Sequence, residues 1–293
     1  MKMVDTIKEH ELQKWSLADF QAWEELIWWK IHDRKIGIVC GCGRSGTTLT
    51  RVLLDSHSQV YAGLESLLFL PIPILASTLA KKFNLPEQEI ALMLSEFENR
   101  GDFIEWFISR VLRQNEKTLF IDKTARNIHV LENIWQIYPN ALVINILRDP
   151  VDNISSLRTH PKRMMEGGKI VETWIEHDVQ SCIDRWKLAT MEALKHAWNP
   201  KFRTIRYEDL VLRTEEIIRD VCVFLWVAFE PNMLEFTSHN SSHTREPVRW
   251  FIQNIEATMP ISTESIWKGY SSLTPLEIAI IVEQTKEMFE LLK

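Results

Sequence analysis

Residues 36–48 read IGIVCGCGRSGTT, an apolar run that ends in a cluster of glycines and opens into a segment of helical periodicity. Glycine is scarce in this chain, 9 of 293 residues, so three within six positions mark a special turn. The spacing fits the phosphate loop G-x-x-x-x-G-K-[ST], with Gly41, Gly46 and Thr48 in place. Glycines let backbone N–H groups turn inward, and the helix that follows offers its positive end to an anion. The segment therefore predicts a buried strand over 36–40, a helix over 47–56, and an anion held between them by Gly43, Arg44, Ser45, Gly46, Thr47 and Thr48.

The remaining pattern supports a parallel sheet. Apolar runs at 59–62, Thr118–Ile121, Leu142–Leu147 and Arg203–Arg206 read as further strands. Helical stretches lie at about 86–114, 126–138, 171–197 and 213–226. Strands alternating with helices imply a sheet covered on both faces, with ligands beyond the strands' carboxyl ends. The expected fold is α/β: a three-layer α/β/α arrangement of phosphate-loop type with helix-rich additions. The 12 tryptophans suggest large rings buried in a helix-rich body. Residues 5–33 carry Trp15, Phe20, Trp23, Leu26 and Ile27 near one helical face, with Ser16 as a cap. The predicted organisation is thus a helical extension over 1–35 and one domain over 36–293.

Several function classes are disfavoured. A net charge of −6 argues against nucleic acid as a partner, although a local cationic pocket can sit in an acidic protein. Cys40, Cys42, Cys182 and Cys222 form no CxxC pair and no metal-ligand pattern, and read as reduced thiols. The N-terminus, MKMVDTIKEHELQKW, lacks the apolar core of a signal peptide. The longest apolar run, Leu67–Ala76, is broken by Pro71 and Pro73 and is too short to span a bilayer. These features lead to the expectation of a cytoplasmic protein with no membrane partner.

Thr47 stands where a nucleotide-triphosphate loop has lysine. That lysine normally reaches the β- and γ-phosphates, so a kinase or ATPase loses its main charge here. Leu119–Asp122 (LFID) nevertheless imitates the strand that ends in a metal-binding aspartate, which keeps that alternative in view. Arg44 supplies a cation at another point of the loop.

GCGRSGTTLTRVLLDSH resembles the donor-binding loop of the sulfotransferases that use 3′-phosphoadenosine-5′-phosphosulfate (PAPS). It is most similar to the Arg-Ser-Gly-Thr-Thr-Leu branch, which includes tyrosylprotein sulfotransferases and many bacterial enzymes. Arg148 and Ser156, in INILRDPVDNISSLR, match the arginine and serine that hold the donor's 3′-phosphate. Tyr207, in TIRYEDLV, matches a segment near the adenine. Trp267, Lys268 and Gly269 resemble the C-terminal loop whose cation closes on the donor phosphates. DKTAR resembles the family's Asp-Lys-Thr-Pro stretch, with Ala125 in place of proline. The matches run from about 36 to 275 in the family's order.

The resemblance implies PAPS as co-substrate, 3′,5′-bisphosphoadenosine (PAP) as product, and no metal. Glu65 is the candidate general base, 21 residues after Arg44 and just beyond the strand at 59–62. The tyrosylprotein branch has its catalytic glutamate at this spacing. Arg44 and Lys123 would stabilise the sulfuryl oxygens and the departing phosphate. His57 reads as structural, His129 and His160 as alternative bases, and His239 and His243 as part of a polar loop. The acceptor is expected to be a small-molecule hydroxyl or amine, as in natural-product tailoring, with peptide tyrosine as the alternative. Loops 66–80, 158–170 and 238–262 are expected to shape its site, on a monomer or homodimer. A binding protein that kept the nucleotide fold without chemistry is a further alternative, disfavoured because Glu65, Arg44 and Lys123 are all present.

Overall fold

The computed structural model describes residues 31–159, 162–166, 169–173, 177–235 and 260–292. Five strands form one parallel sheet: β1 (Ile36–Gly41), β2 (Val60–Ala62), β3 (Leu119–Lys123), β4 (Leu142–Leu147) and β7 (Phe202–Arg206), in the order β2-β3-β1-β4-β7. A two-stranded antiparallel ribbon, β5 (Lys162–Glu166) with β6 (Lys169–Thr173), stands apart from it. The chain leaves β1 towards β2 and β3 on one side, then returns to build β4 and β7 on the other. The carboxyl end of β1 is therefore the topological switch point, where open α/β sheets bind ligands.

Successive strand residues point to opposite faces, and both faces are apolar. Ile36, Ile38, Cys40, Val143 and Leu147 enter one core; Val39, Leu142, Ile144 and Ile146 enter the other. The second core is closed by α1 (Thr47–Asp55), α8 (Tyr207–Leu212) and α9 (Thr214–Leu225). The first is larger. It is closed by α2 (Ala76–Phe83), α3 (Glu87–Glu96), α4 (Arg100–Gln114), α5 (Leu131–Ile137), α6 (Pro150–Arg158), α7 (Val179–His196) and α11 (Pro275–Leu291). The three-layer α/β expectation holds for this region. Trp186 is fully buried on α7, whereas Trp198, Trp226 and Trp267 are exposed, so large buried rings account for only part of the tryptophan count.

Some predicted boundaries need correction. The helix expected over 86–114 is two helices, because Asn99 takes extended backbone and its side chain accepts from the Asp102 amide to start α4. The helix expected over 171–197 starts only at Val179, capped by Asp178; Lys169–Thr173 instead pairs as β6, which suits its β-branched residues. The stretch 126–138 is a short 3₁₀ turn, Ala125–His129, followed by α5. The predicted loop 66–80 runs into α2, and the predicted loop 158–170 contains β5. Residues 31–33 are not helical; the rest of the predicted 5–33 helix and its cap Ser16 lie outside the described residues.

The last segment closes over the sheet edge through one carboxylate. Asp152, buried in the first turn of α6, accepts from the Trp267 amide (2.7 Å) and the Gly269 amide (2.7 Å). Trp267 sits in the left-handed region (φ 66), and the Gly269 Cα lies against Val151 so closely that a Cβ would come within 2.6 Å of its carbonyl oxygen. The short helix α10 (Lys268–Ser272) and the capped helix α11 follow from that anchor. Replacing Asp152 by alanine leaves the buried Gly269 amide and the part-buried Trp267 amide unpaired, so unfolding in urea should show a loss of about 2–4 kcal/mol. Asp152→Asn, which keeps one acceptor oxygen, should lose less; an unchanged midpoint for the alanine variant would show that the anchor is energetically idle.

Candidate active site

Gly46 is the N-cap of α1 with φ 106, and no side chain caps that helix. The first amides of α1 thus have no side-chain cap, an arrangement able to take an anion. Ser45 is fully buried, and its hydroxyl has no hydrogen-bond partner among the described residues. Thr47 is buried and Thr48 half-buried, with the Thr48 hydroxyl accepting from Lys123 Nζ at 3.4 Å.

Arg44, Arg148 and Ser156 meet on one side of this loop. Arg44 Nε donates to Ser156 Oγ (3.1 Å), and Arg148 donates to the Arg44 carbonyl (3.2 Å) and to the Ser265 carbonyl (2.5 Å). Arg148 is 8% exposed and lies over the Tyr207 ring, 4.7 Å from its centre. No carboxylate among the described residues forms an ion pair with it. The adjacent Asp149 is engaged elsewhere: it caps α6 by accepting from Val151 and Asp152 amides. Tyr207 hydrogen-bonds Ser265 Oγ (2.6 Å), and the ring packs against Gly46. Tyr207 opens α8 at the end of β7, where a strand end was expected. Trp267 and Lys268 are exposed at this rim, and Gly269 is buried under it.

On the other side, Lys123 and Glu65 form a pair. Lys123, at the end of β3, is buried, and its Nζ lies 3.2 Å from Glu65 Oε1. Glu65 keeps 40% of its side chain exposed, so its carboxylate opens to the cleft. Burial pushes the Glu65 carboxyl up, but Lys123, Lys82 and Arg126 together outweigh it and hold it below the usual glutamate range. Lys82 also donates to the Glu65 carbonyl (2.9 Å). His129 is half-buried; burial first, then Arg126, Lys195 and Arg185, push its pKa down against the pull of Glu192. Arg185, on α7, is exposed and stands about one contact distance from Gly43: a Cβ there would meet its guanidinium at 4.0 Å.

The structure therefore brings Gly43–Thr48, Arg148, Ser156, Tyr207, Gly269, Glu65 and Lys123 to one edge of the sheet. His57 is not part of it: its Nδ1 accepts from the Gln59 amide and its Nε2 meets the Ala228 carbonyl, the structural role expected. His160, His239 and His243 lie outside the described residues. Asp122 does not present a metal ligand, since its oxygens accept from Ser66 (2.6 Å) and Asn127 (2.7 Å) in the interior. Ser265, Asp152, Lys82 and Arg185 join the site without having been singled out from sequence. Of these only Ser265 carried a signal, two residues before the Trp-Lys-Gly motif. Among the described residues no group of three or more His, Cys, Asp or Glu is arranged to hold a metal ion, and no helix is long and apolar enough to cross a membrane. The four cysteines are free and buried.

A model of the sulfotransferase family matches residues 38–231. The chain is 25% identical over 244 residues to the protein-tyrosine sulfotransferase of Drosophila melanogaster, covering 78% of this chain and 46% of that protein. It is 28% identical over 260 residues to an uncharacterized Aquifex aeolicus protein, of which it spans 32%. The chain thus spans less than half the length of these two relatives. Among solved structures, it is similar to the sulfotransferase domain of the Synechococcus PCC 7002 olefin synthase (TM-score 0.64, 20% identity, 88% of this chain and 98% of that one). It is also similar to a mouse sulfotransferase solved with PAP (TM-score 0.51, 12% identity, 92% and 87%). At these identities the two structures establish a shared fold.

The glycine loop itself yields a stability test. A Cβ on Gly46 would lie 2.3 Å from Tyr207 Cδ2, on a backbone that L side chains rarely adopt. Gly46→Ala should lower thermal stability by about 1–3 kcal/mol. Adding Tyr207→Ala should recover the steric share and leave the backbone share. A melting temperature equal to that of the parent would overturn this account of the turn.

Proposed function

Since the chain belongs to the sulfotransferase family, we propose that it transfers a sulfuryl group from PAPS to a hydroxyl or amine of a small-molecule acceptor. One observation carries the donor assignment: Arg148 is buried and stacked on Tyr207, with no carboxylate among the described residues to neutralise it. A buried cation without a counter-charge is costly, and a ligand anion removes the cost. The 3′-phosphate of PAPS is such an anion, and Ser156, reached through Arg44, stands beside it to donate a hydroxyl. The free first turn of α1 suits the 5′-phosphosulfate. Lys268, exposed at the rim, would reach the phosphates. PAP in the mouse structure is consistent with this donor.

In the reaction the acceptor oxygen or nitrogen attacks sulfur, the bond from sulfur to the bridging oxygen of the 5′-phosphate breaks, and PAP leaves. Glu65 takes the acceptor's proton. It is held ionised by its neighbouring cations and is open to the cleft, so it is ready to act near neutral pH. Lys123 faces the charge that grows on the sulfuryl and departing phosphate oxygens; Arg44, which donates to Ser156 from the other side of the loop, would have to turn from that contact to share the task. Because Thr47 replaces the loop lysine and Asp122 is sealed in the interior, the kinase-like reading has neither of its charged parts.

The sulfotransferase domain of an olefin synthase, similar in fold, supports a small-molecule acceptor. The Drosophila relative favours a second reading, peptide tyrosine. Incubating the protein with PAPS and either a metabolite extract or a tyrosine peptide, then scoring the gain of sulfonate by mass spectrometry, separates the two.

Calorimetry should show PAP binding well and AMP much more weakly. Arg148→Ala should lose roughly 2–4 kcal/mol for PAP and little for AMP. Equal affinity for the two nucleotides would sink the 3′-phosphate assignment. Glu65→Gln should lower turnover by about 10²–10⁴-fold with PAP affinity little changed. The acid limb of the rate profile follows from the same pair. A depressed carboxyl stays charged until the pH falls through its own low value, so activity should persist to below the ordinary glutamate pKa of about 4.3. Lys82→Met removes a cation and should move that limb up; a limb that does not move would detach Glu65 from the proton transfer.

A further inference from the structure

β3 ends in Asp122 and Lys123, and neighbouring residues of a strand point to opposite faces. Lys123 points to the phosphate loop and touches the Glu65 carboxylate. Asp122 points the other way and is 1% exposed. Its Oδ1 accepts from Ser66 Oγ at 2.6 Å, and Ser66 is the residue after Glu65. Its Oδ2 accepts from Asn127 Nδ2 at 2.7 Å. Ser66 Oγ in turn accepts from the Leu68 amide (3.1 Å), and the Leu67 amide donates to Thr124 Oγ1 (3.4 Å). Leu67 is held at φ 60, a strained value for a leucine. Arg100 ties down the far side by donating to the carbonyls of Leu68 and Ile72, each at 2.8 Å. The turn that carries Glu65 is therefore fastened to the end of β3.

We propose that Asp122 is a positioning residue for the transfer: it fixes the backbone of Glu65 through Ser66 while Lys123 fixes the Glu65 carboxylate. This rests on Glu65 as the base. Both holds come from adjacent residues of one rigid strand, so the distance from base to phosphate loop is set by β3 rather than by the loop 66–72. The chemistry is sensitive to that distance, because a misplacement of about 1 Å can cost on the order of 10²-fold. The geometry also assigns Asp122 a role different from that of the metal-binding aspartate whose place in the sequence it imitates. Its charge is not what the site needs; its two acceptor oxygens are. Asn127 Oδ1 is buried without a hydrogen-bond partner among the described residues, so the Asn127 amide can turn to accept from an amide at position 122.

The test is a cycle of variants read by turnover, PAP affinity and the pH profile. Ser66→Ala should lower kcat by about 10–100-fold, with PAP affinity little changed and the acid limb moved up as Glu65 loosens from Lys123. Asp122→Ala should lose at least as much, and Asp122→Asn should restore most of it. In a Glu65→Gln background, Ser66→Ala should cost little more, because no base remains to be positioned. If Asp122→Ala does not fold, Ser66→Ala and Asp122→Asn still decide the matter. Unchanged kcat in Ser66→Ala, an equal loss in the Glu65→Gln background, or an Asp122→Asn variant as damaged as the alanine one would each overturn the proposal. Full turnover of Glu65→Gln alone would instead remove the base assignment on which it stands.

Discussion

Arg148 is a guanidinium taken out of water at the edge of a parallel sheet, with only carbonyl oxygens and an aromatic face for company among the described residues. Desolvating a charge costs several kcal/mol, and carbonyls and a ring recover only part of that. The surrounding structure is arranged to hold it there nonetheless. β4 delivers it to the switch point, Asp149 is turned away to cap α6, and Tyr207 supports its plane from α8. In the proposed donor complex a ligand anion would complete the arrangement, which would link donor binding to the cost of this one charge.

The same edge separates two electrostatic tasks. On the Arg148 side this guanidinium forms no ion pair among the described residues, which suits a tightly held phosphate. On the Lys123 side a carboxylate is kept charged among cations, which suits a group that must take up a proton late. The uncapped turn of α1 lies between them. Sulfuryl transfer needs this division, since the donor must be anchored at its far end while its sulfur is approached by a nucleophile that loses a proton.

Residues 265–269 join these parts by hydrogen bonds. Asp152 holds two of their amides, and Ser265 touches both Arg148 and Tyr207. The segment thereby forms one wall of the proposed donor site and is fastened to the helix that follows Arg148. Residues distant in sequence, 148–156 and 265–269, behave as one unit because a few polar contacts link them.

Much of this was legible in the chain alone. The glycine spacing and the apolar run before it specify a strand, a glycine turn and a helix; all three depend on local geometry. Glu65 and Lys123 stand at or just beyond strand ends in the sequence, and their expected roles came from the family resemblance. The failures have physical causes too. A run of helix formers concealed the break at Asn99, because capping depends on one backbone dihedral more than on propensity. The stretch 169–173 forms a ribbon because its partner strand lies just before it. The Thr274–Glu277 capping box that starts α11 is written in the sequence as Thr-x-x-Glu. What only the tertiary structure decided is which polar groups meet. Asp122 imitates a metal-binding aspartate in sequence and is a buried acceptor for Ser66; Asp149, the chain neighbour of Arg148, caps α6 instead. A sequence records which groups are present and how far apart along the chain they lie. Whether a charge finds its partner depends on directions in space, and these exist only once strands, helices and turns have packed.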